Sequence, residues 1–167
     1  MPTYSVAFSS QASTGIAKDL WYILSSSLSR FKISEVYLAC STMGTTETMA
    51  VTIHTGSTIA SAGGSTISTP NISERSGSTA TFSGLINSST PGSSGAGAVL
   101  LYAGSVSMYH PFIWRPYRDA QQDDRPVIGL QKRLQVRMSA SLAALNLNGT
   151  LIVEEIGKLP LSADDGS

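Results

Sequence analysis

Charge is scarce in this sequence: Asp, Glu, Lys and Arg make up 13% of the 167 residues, about half the usual fraction. The 11 basic and 11 acidic residues cancel, and no basic stretch stands out. Because a phosphate backbone requires a positive protein surface, we expect no nucleic-acid binding. An uncharged surface also gives little protection against association, which suits a protein that remains bound to a partner.

Cysteine occurs once, at Cys40, so the chain has no internal disulfide and no second thiolate for a zinc site. Long apolar runs are also missing: no stretch of about 18 apolar residues predicts a membrane span. The first eight residues, MPTYSVAF, have neither the basic start nor the apolar core of a signal peptide. We therefore expect synthesis in the cytoplasm, without secretion and without a membrane partner.

Catalytic groups are equally scarce. The only histidines are His54 and His110, and no Gly-x-Ser-x-Gly elbow surrounds any serine. We interpret His54 as an outward residue on a strand and His110 as a residue at a strand end. Cys40 falls on the apolar face of a strand, where a small buried core residue is expected. The sequence therefore predicts a protein that is not an enzyme, with no catalytic residues and no cofactor.

The acidic residues also have a plain interpretation. The loop at residues 118–125 (RDAQQDDR) carries three aspartates that could hold calcium through oxygen ligands. Arg118 and Arg125 flank them, so a local salt-bridge network is the simpler expectation, and we predict no metal site. Glu154 and Glu155 are adjacent on a strand and point to opposite faces, so they cannot by themselves form a glycosidase pair.

Alternation with a period of two is the strongest positive signal, because it indicates half-buried strands. It is clear in three segments: Tyr4, Val6 and Phe8; Met49, Val51 and Ile53; and Leu134, Val136 and Met138. Residues 20–24 (LWYIL) form a continuous apolar run, which periodicity alone cannot assign to a strand or a short helix.

Two irregularities interrupt the strand pattern. In residues 31–40 (FKISEVYLAC), Val36, Leu38 and Cys40 share one face while Ile33 falls on the other, which indicates a two-sided strand or a bulge. Asn148 and Gly149 lie within a later alternating segment and predict either a hairpin turn or a bulge.

The count of about eight short strands, without amphipathic helical periods, predicts an all-β fold. We expect an antiparallel β-sandwich, jelly-roll-like, with long Ser/Thr/Gly-rich loops and one or two short strands between residues 55 and 97. Residues 1–157 are predicted to form a single domain, and residues 158–167 a polar C-terminal tail. Loops of this length are rare in compact domains unless they have a function, so they are candidates for ordering against a partner.

An aromatic segment at residues 111–117 (PFIWRPY) is the best candidate for a binding site. In an extended chain Phe112 and Trp114 share a face, and the plain interpretation is core or corner packing. Because Trp, Tyr and Arg dominate interface hot spots, the alternative is a set of interface anchors. Its members would be Phe112, Trp114, Arg115, Tyr117 and Arg118.

Several segments, taken together in order, carry a resemblance. They are residues 32–38 (KISEVYL), 51–56 (VTIHTG), 63–66 (GGST), 123–128 (DDRPVI) and 148–157 (NGTLIVEEIG). Their order and spacing resemble a group of small proteins encoded by tailed bacteriophages and their prophages, over a span from about Tyr4 to Gly157. The central Ser-rich loops and residues 112–117 depart from that pattern.

This resemblance implies a virion structural protein made in the host cytoplasm. Small β-sandwich proteins of phage heads commonly act as cement, or decoration, proteins on the capsid surface. The implied partners are the major capsid protein and further copies of the chain, in a homotrimer above the junctions between shell subunits.

Two alternatives remain open from the sequence. One is another phage part, a tail or fibre adaptor. The other is a carbohydrate-binding module or β-sandwich hydrolase, in which Trp114 and Tyr117 would stack on sugar rings.

Overall fold

The computed structural model describes residues 2–13, 16–41, 48–56, 62–67, 80–90, 98–116, 123–140 and 145–156. These residues form eleven strands and contain no helix. The strands, in chain order, are β1 (Thr3–Ser13), β2 (Lys18–Leu24), β3 (Arg30–Cys40), β4 (Thr48–Thr55), β5 (Ser65–Thr66), β6 (Ser83–Ser88), β7 (Val99–Ser107), β8 (Phe112–Trp114), β9 (Val127–Ile128), β10 (Arg133–Met138) and β11 (Leu145–Ile156).

Two antiparallel sheets pack against each other. Sheet A has the order β1-β11-β3-β8, with β9 also paired to β3, and sheet B has the order β5-β6-β2-β10-β4-β7. The predicted all-β antiparallel sandwich is therefore confirmed, and the jelly-roll topology stays a prediction. Most neighbours in both sheets are distant in sequence, so the strands are held together by long-range pairing.

The core lies between the sheets and is built by the alternating residues. All nine apolar residues of the three clearest segments are buried, which confirms those strands. Both sheets contribute to one cluster, whose largest fully buried side chains include Tyr4 of β1, Trp21 of β2 and Phe31 of β3. Burial of each large apolar side chain contributes about 1.5–3 kcal/mol, so this layer is the main source of stability.

The continuous apolar run at residues 20–24 belongs to strand β2. The pairing with β10 places Trp21 opposite Val136 but Asp19 opposite Arg137, so Leu20 is an extra residue at a bulge. Leu20, Trp21, Tyr22 and Ile23 are all buried. A bulge in an inner strand therefore explains why the run does not alternate.

A bulge also explains the mixed faces of β3. Its pairing with β11 places Glu35 opposite Ile152 and Ile33 opposite Val153, so Ser34 is the extra residue. The shift returns Ile33 to the core, where it is fully buried. Of the two predicted alternatives, a two-sided strand or a bulge, the bulge is present. Cys40 at the strand's end is half-buried against the core.

Asn148 and Gly149 form neither of the two predicted features, because β11 continues through them as a strand. The irregularity lies in the opposite strand, β1, between Phe8 and Gln11. There Ser10 adopts a φ of 51°, and its N–H donates to Asn148 Oδ1 at 2.9 Å. The prediction of a turn or bulge at Asn148 and Gly149 was wrong because the extra residue belongs to the partner strand.

The loop-rich middle of the chain contains two short strands, β5 and β6, as predicted. Much of the rest of residues 55–97, together with the predicted tail at 158–167, lies outside the described residues.

Gly149 supports a stability prediction because three side chains fill the space of a missing Cβ. A Cβ there would lie 2.6 Å from Phe8 Cζ, 2.7 Å from Trp21 Cη2 and 2.8 Å from Leu38 Cδ2. We expect Gly149→Ala to lower the free energy of unfolding by about 1–3 kcal/mol, since overpacked cores must shift. Denaturant unfolding followed by tryptophan fluorescence measures the change.

The matched control is Gly129→Ala. A Cβ at Gly129 would meet only Lys132 Cγ, at 3.5 Å, which is an ordinary contact. We expect this control to stay within about 0.5 kcal/mol of the wild type. Equal effects of the two substitutions would contradict the packing assigned to Gly149.

Candidate binding edge

One side of the sandwich is formed by a continuous stretch of chain. Strand β7 is the last strand of sheet B, and β8 pairs with β3 on the same side of the molecule, where it contacts β7. We name residues 99–114, which comprise β7, the connecting turn and β8, the β7–β8 edge. Among the described residues, β7 pairs only with β4, so its other side lacks a strand partner.

Three aromatic rings join the two sheets at this edge. Tyr102 of β7 stacks on Trp114 of β8 with ring centroids 5.6 Å apart and planes inclined by 22°. The same ring meets Phe112 edge-on, at 5.9 Å and 61°. Gly104 provides room for Phe112, because a Cβ there would lie 2.8 Å from Phe112 Cε2. The rings therefore fix β8 over β7 and close this side of the core.

Apolar side chains are exposed around these rings. Of the nine large hydrophobic residues that are exposed in the described part of the chain, five belong to the β7–β8 edge: Val99, Leu100, Tyr102, Tyr109 and Ile113. Exposed apolar residues are ordinary when they are scattered singly, but a concentration along one edge marks an interaction site.

The edge is also free of charge. Residues 76–114 contain no Asp, Glu, Lys or Arg. Proteins usually protect long edge strands with lysines, prolines, bulges or short length, because the unpaired N–H and C=O groups otherwise recruit another strand. Strand β7 has a bulge at Leu101, between Tyr102 opposite Ile53 and Leu100 opposite His54. The nine-residue strand carries none of the other protections.

The outermost strands at the opposite side are better protected. Strand β5 has only two residues. Strand β1 has its bulge at Ser10, and its Ala12 carbonyl accepts Lys18 Nζ at 2.8 Å. None of the exposed large hydrophobic residues in the described part of the chain lies on β1 or β5, whereas β7 combines apolar exposure with a side that lacks a strand partner.

The predicted interface residues occupy different environments. Phe112 is only 4% exposed and belongs to the core, so it supports the edge from beneath and is not an exposed anchor. Trp114 is half-buried in the ring stack, and Arg115 is exposed and paired with Glu35 at 2.9 Å. Tyr117 and Arg118 lie outside the described residues.

Sequence reasoning missed Tyr102 and β7 as part of the site. Tyr102 is ten residues or more from its ring partners in sequence, and only the sheet topology brings it to them. The absence of charge across residues 76–114 was visible in the sequence and is the signal that could have indicated this strand.

The two histidines lie on strand β4 and in the turn between β7 and β8. His54 of β4 is half-buried and stands opposite Gln135 on the outer side of sheet B, as predicted for an outward strand residue. Burial, and then the nearby Arg137 guanidinium, lower the pKa of His54, so its neutral form is favoured near pH 7. The His110 carbonyl accepts the Ser107 N–H at 3.0 Å within the turn after β7.

A buried ion pair stands near His54. Asp19 of β2 is fully buried, and Arg137 of β10 donates to it through Nε at 2.7 Å and through Nη2 at 3.2 Å. Gln135 Nε2 approaches the same carboxylate at 3.4 Å. Because the two strands are neighbours, this pair holds the charged side chains to the outer side of sheet B.

The acidic loop forms the predicted salt-bridge network where it is described. Asp123 accepts hydrogen bonds from Arg125 Nε and Nη2, both at 2.7 Å, and from Lys32 Nζ at 2.7 Å. Arg125 is almost fully buried and also pairs with Glu154. Glu155 instead accepts hydrogen bonds from the Ser29 and Thr81 hydroxyls. The two adjacent glutamates therefore point to opposite faces of β11, as predicted.

Comparison with protein-family models, with curated proteins and with solved structures found no match. In the part of the chain that the structure describes, no group of three or more His, Cys, Asp and Glu residues could hold a metal ion. The same residues include no helix that could cross a membrane. The exposed apolar side chains and the lack of charge make the β7–β8 edge the strongest candidate for a functional site.

The Asp123 network predicts a dependence of stability on pH. Hydrogen bonds from Arg125, and then Lys32, hold the pKa of Asp123 well below its usual range. The ionised carboxylate therefore favours the folded state above the unfolded-state pKa of about 3.9, and this contribution is lost as pH falls toward the folded-state pKa. We expect Asp123→Asn to lower Tm by a constant amount above pH 5 and by less as pH falls below about 4.

Glu35→Gln is the control, because it changes the net charge equally at a pair whose Arg115 side chain is 66% exposed. Scanning calorimetry from pH 3 to pH 7 should show little change for this variant. A Tm difference for Asp123→Asn that is the same at every pH would contradict the assigned ion pairing.

Proposed function

We propose that this protein is a virion structural protein, a cement protein that binds the major capsid proteins on the head of a tailed bacteriophage. The single observation that carries the proposal is the β7–β8 edge: exposed, apolar and uncharged, on a sandwich whose two sheets are tightly packed. The ordered sequence resemblance to small phage proteins supplies the biological setting.

The ring contacts within the edge favour a binding role. Tyr102, Trp114 and Phe112 hold β7 and β8 in one arrangement before any partner arrives. A preorganised surface loses little conformational entropy on binding, so more of the contact free energy remains as affinity. The exposed side chains around the rings, such as Leu100 and Ile113, would supply apolar contact area.

Stabilisation of the shell follows from mass action. A protein that binds neighbouring shell subunits together but not separate ones lowers the free energy of the assembled state. Because the edge carries no charge, its affinity would come from apolar burial and backbone hydrogen bonds. Such binding should change little with ionic strength, unlike binding steered by charged patches.

The direct experiment is to analyse particles produced from the genome that encodes this chain. Mass spectrometry should detect the protein in purified virions, and cryo-electron microscopy should show ordered copies on the outer head shell. Absence from the particles would overturn the proposal. Density confined to the tail would also contradict it and would favour the adaptor alternative.

A pair of variants tests the edge as the contact surface. Leu100→Lys places a charge on β7, at a side chain that is 54% exposed and whose replacement leaves the core intact. We expect at least about tenfold weaker binding to shells that lack the protein, because the lysine must be desolvated at the contact. Co-sedimentation with such shells measures the affinity.

Leu28→Lys is the matched control, since Leu28 is 55% exposed but lies in the loop between β2 and β3. It should bind like the wild type at both low and high salt. Equal losses for the two variants would show that the β7–β8 edge is not the contact surface.

A further inference from the structure

We infer that β7 pairs with β7 of a second copy of this chain, in antiparallel orientation about a two-fold axis at Gly104. The inference rests on the proposed binding role of the β7–β8 edge and names one partner of that edge. It is argued from the backbone groups that β7 presents, from its register and from its lack of charge.

Two sets of hydrogen bonds show which backbone groups of β7 point outward. Ala50 of β4 stands opposite Ser105, yet its N–H donates to Ser139 Oγ at 3.0 Å and its carbonyl accepts the Ser139 N–H at 2.9 Å. Ala50 therefore points away from β7. Opposite residues of an antiparallel pair alternate between bonded and non-bonded positions, so the backbone N–H and C=O of Ser105 also point away from β4. The same holds for the backbone groups of Ala103, two residues earlier.

The turn after β7 agrees with this assignment. Ser107 is two residues beyond Ser105, and its N–H donates to the His110 carbonyl and not to β4. Among the described residues, no strand pairs with the outward N–H and C=O groups of Ala103 and Ser105, while the N–H of Ser107 is occupied. The bulge at Leu101 limits the regular segment at the other end. Pairing with a second strand is confined to residues 102–106.

This short segment is complementary to itself. A two-fold axis at Gly104 places Ala103 opposite Ser105 of the second copy, and Ser105 opposite its Ala103. Each such pair exchanges two N–H···O bonds, so the contact contains about four. Gly104 of one copy faces Gly104 of the other at the close, non-bonded position, where neither has a side chain. Tyr102 then stands opposite Val106 of the second copy, and a pair of an aromatic and a β-branched residue is favourable.

The lack of charge on β7 favours a second copy of the chain as its partner. A strand that carried charge would place like charges opposite one another in a self-pair, which is destabilising. Residues 76–114 contain none, so two copies of β7 are matched in charge as well as in hydrogen bonding. The resulting contact is isologous and joins the two six-stranded sheets into one.

The test uses the full chain and two substitutions at one residue. Ala103→Pro removes an outward N–H without removing a bond to β4, and proline is tolerated on edge strands in this position. Ala103→Ser keeps the N–H and is the control. Sedimentation equilibrium should give the wild type and Ala103→Ser twice the chain mass of 17.5 kDa, and Ala103→Pro a monomer with at least a hundredfold higher dissociation constant.

Circular dichroism and Tm must show that Ala103→Pro is folded, and Ser105→Pro provides an independent variant with the same expected loss. A wild type that is monomeric at all concentrations would overturn the inference. So would a trimer, as the phage resemblance implies, or any oligomer that neither proline variant dissociates. These outcomes leave the cement role standing, whereas absence of the chain from virions would remove that role and leave a measured dimer unaffected.

Discussion

The packing of Trp21 between the sheets is the constraint on which the rest of the structure depends. Its fully buried ring lies 4.9 Å from that of Phe8, and its indole N–H donates across the core to the Val6 carbonyl. The contact requires Gly149, because any side chain there would overlap both rings. Trp21 of sheet B thus sets how β1 and β11 of sheet A pack against β2.

The two sides of the sandwich are closed in different ways. At the β1 side, a bulge interrupts the strand and Lys18 Nζ occupies the Ala12 carbonyl. At the other side, the Tyr102 and Trp114 stack closes the core but leaves the outer backbone of β7 without a strand partner among the described residues. The same packing that makes the fold stable therefore presents one uncharged strand for association, which links the fold to the proposed function.

The sequence predicted the fold through period-two alternation, because burial between two sheets imposes that period directly on residues such as Val51 and Val136. The sequence predicted the positions of bulges less well, because a bulge depends on how two strands pair. The extra residue opposite Asn148 belongs to β1, and a bulge at Leu20 made a strand resemble part of a helix. The candidate site was only partly predicted: Trp114 was identified, but Phe112 proved to be buried. Tyr102 reaches both rings through long-range pairing that local patterns do not encode.

Amide hydrogen exchange measured by NMR at a low protein concentration tests the central claim most directly. If the core is closed as described and the outer side of β7 is open, the amides of Tyr102 and Gly104 exchange slowly while those of Ala103 and Ser105 exchange quickly. Raising the concentration should then slow exchange at Ala103 and Ser105. Equally slow exchange at all four amides in the dilute protein would show that β7 is already covered and would contradict the account.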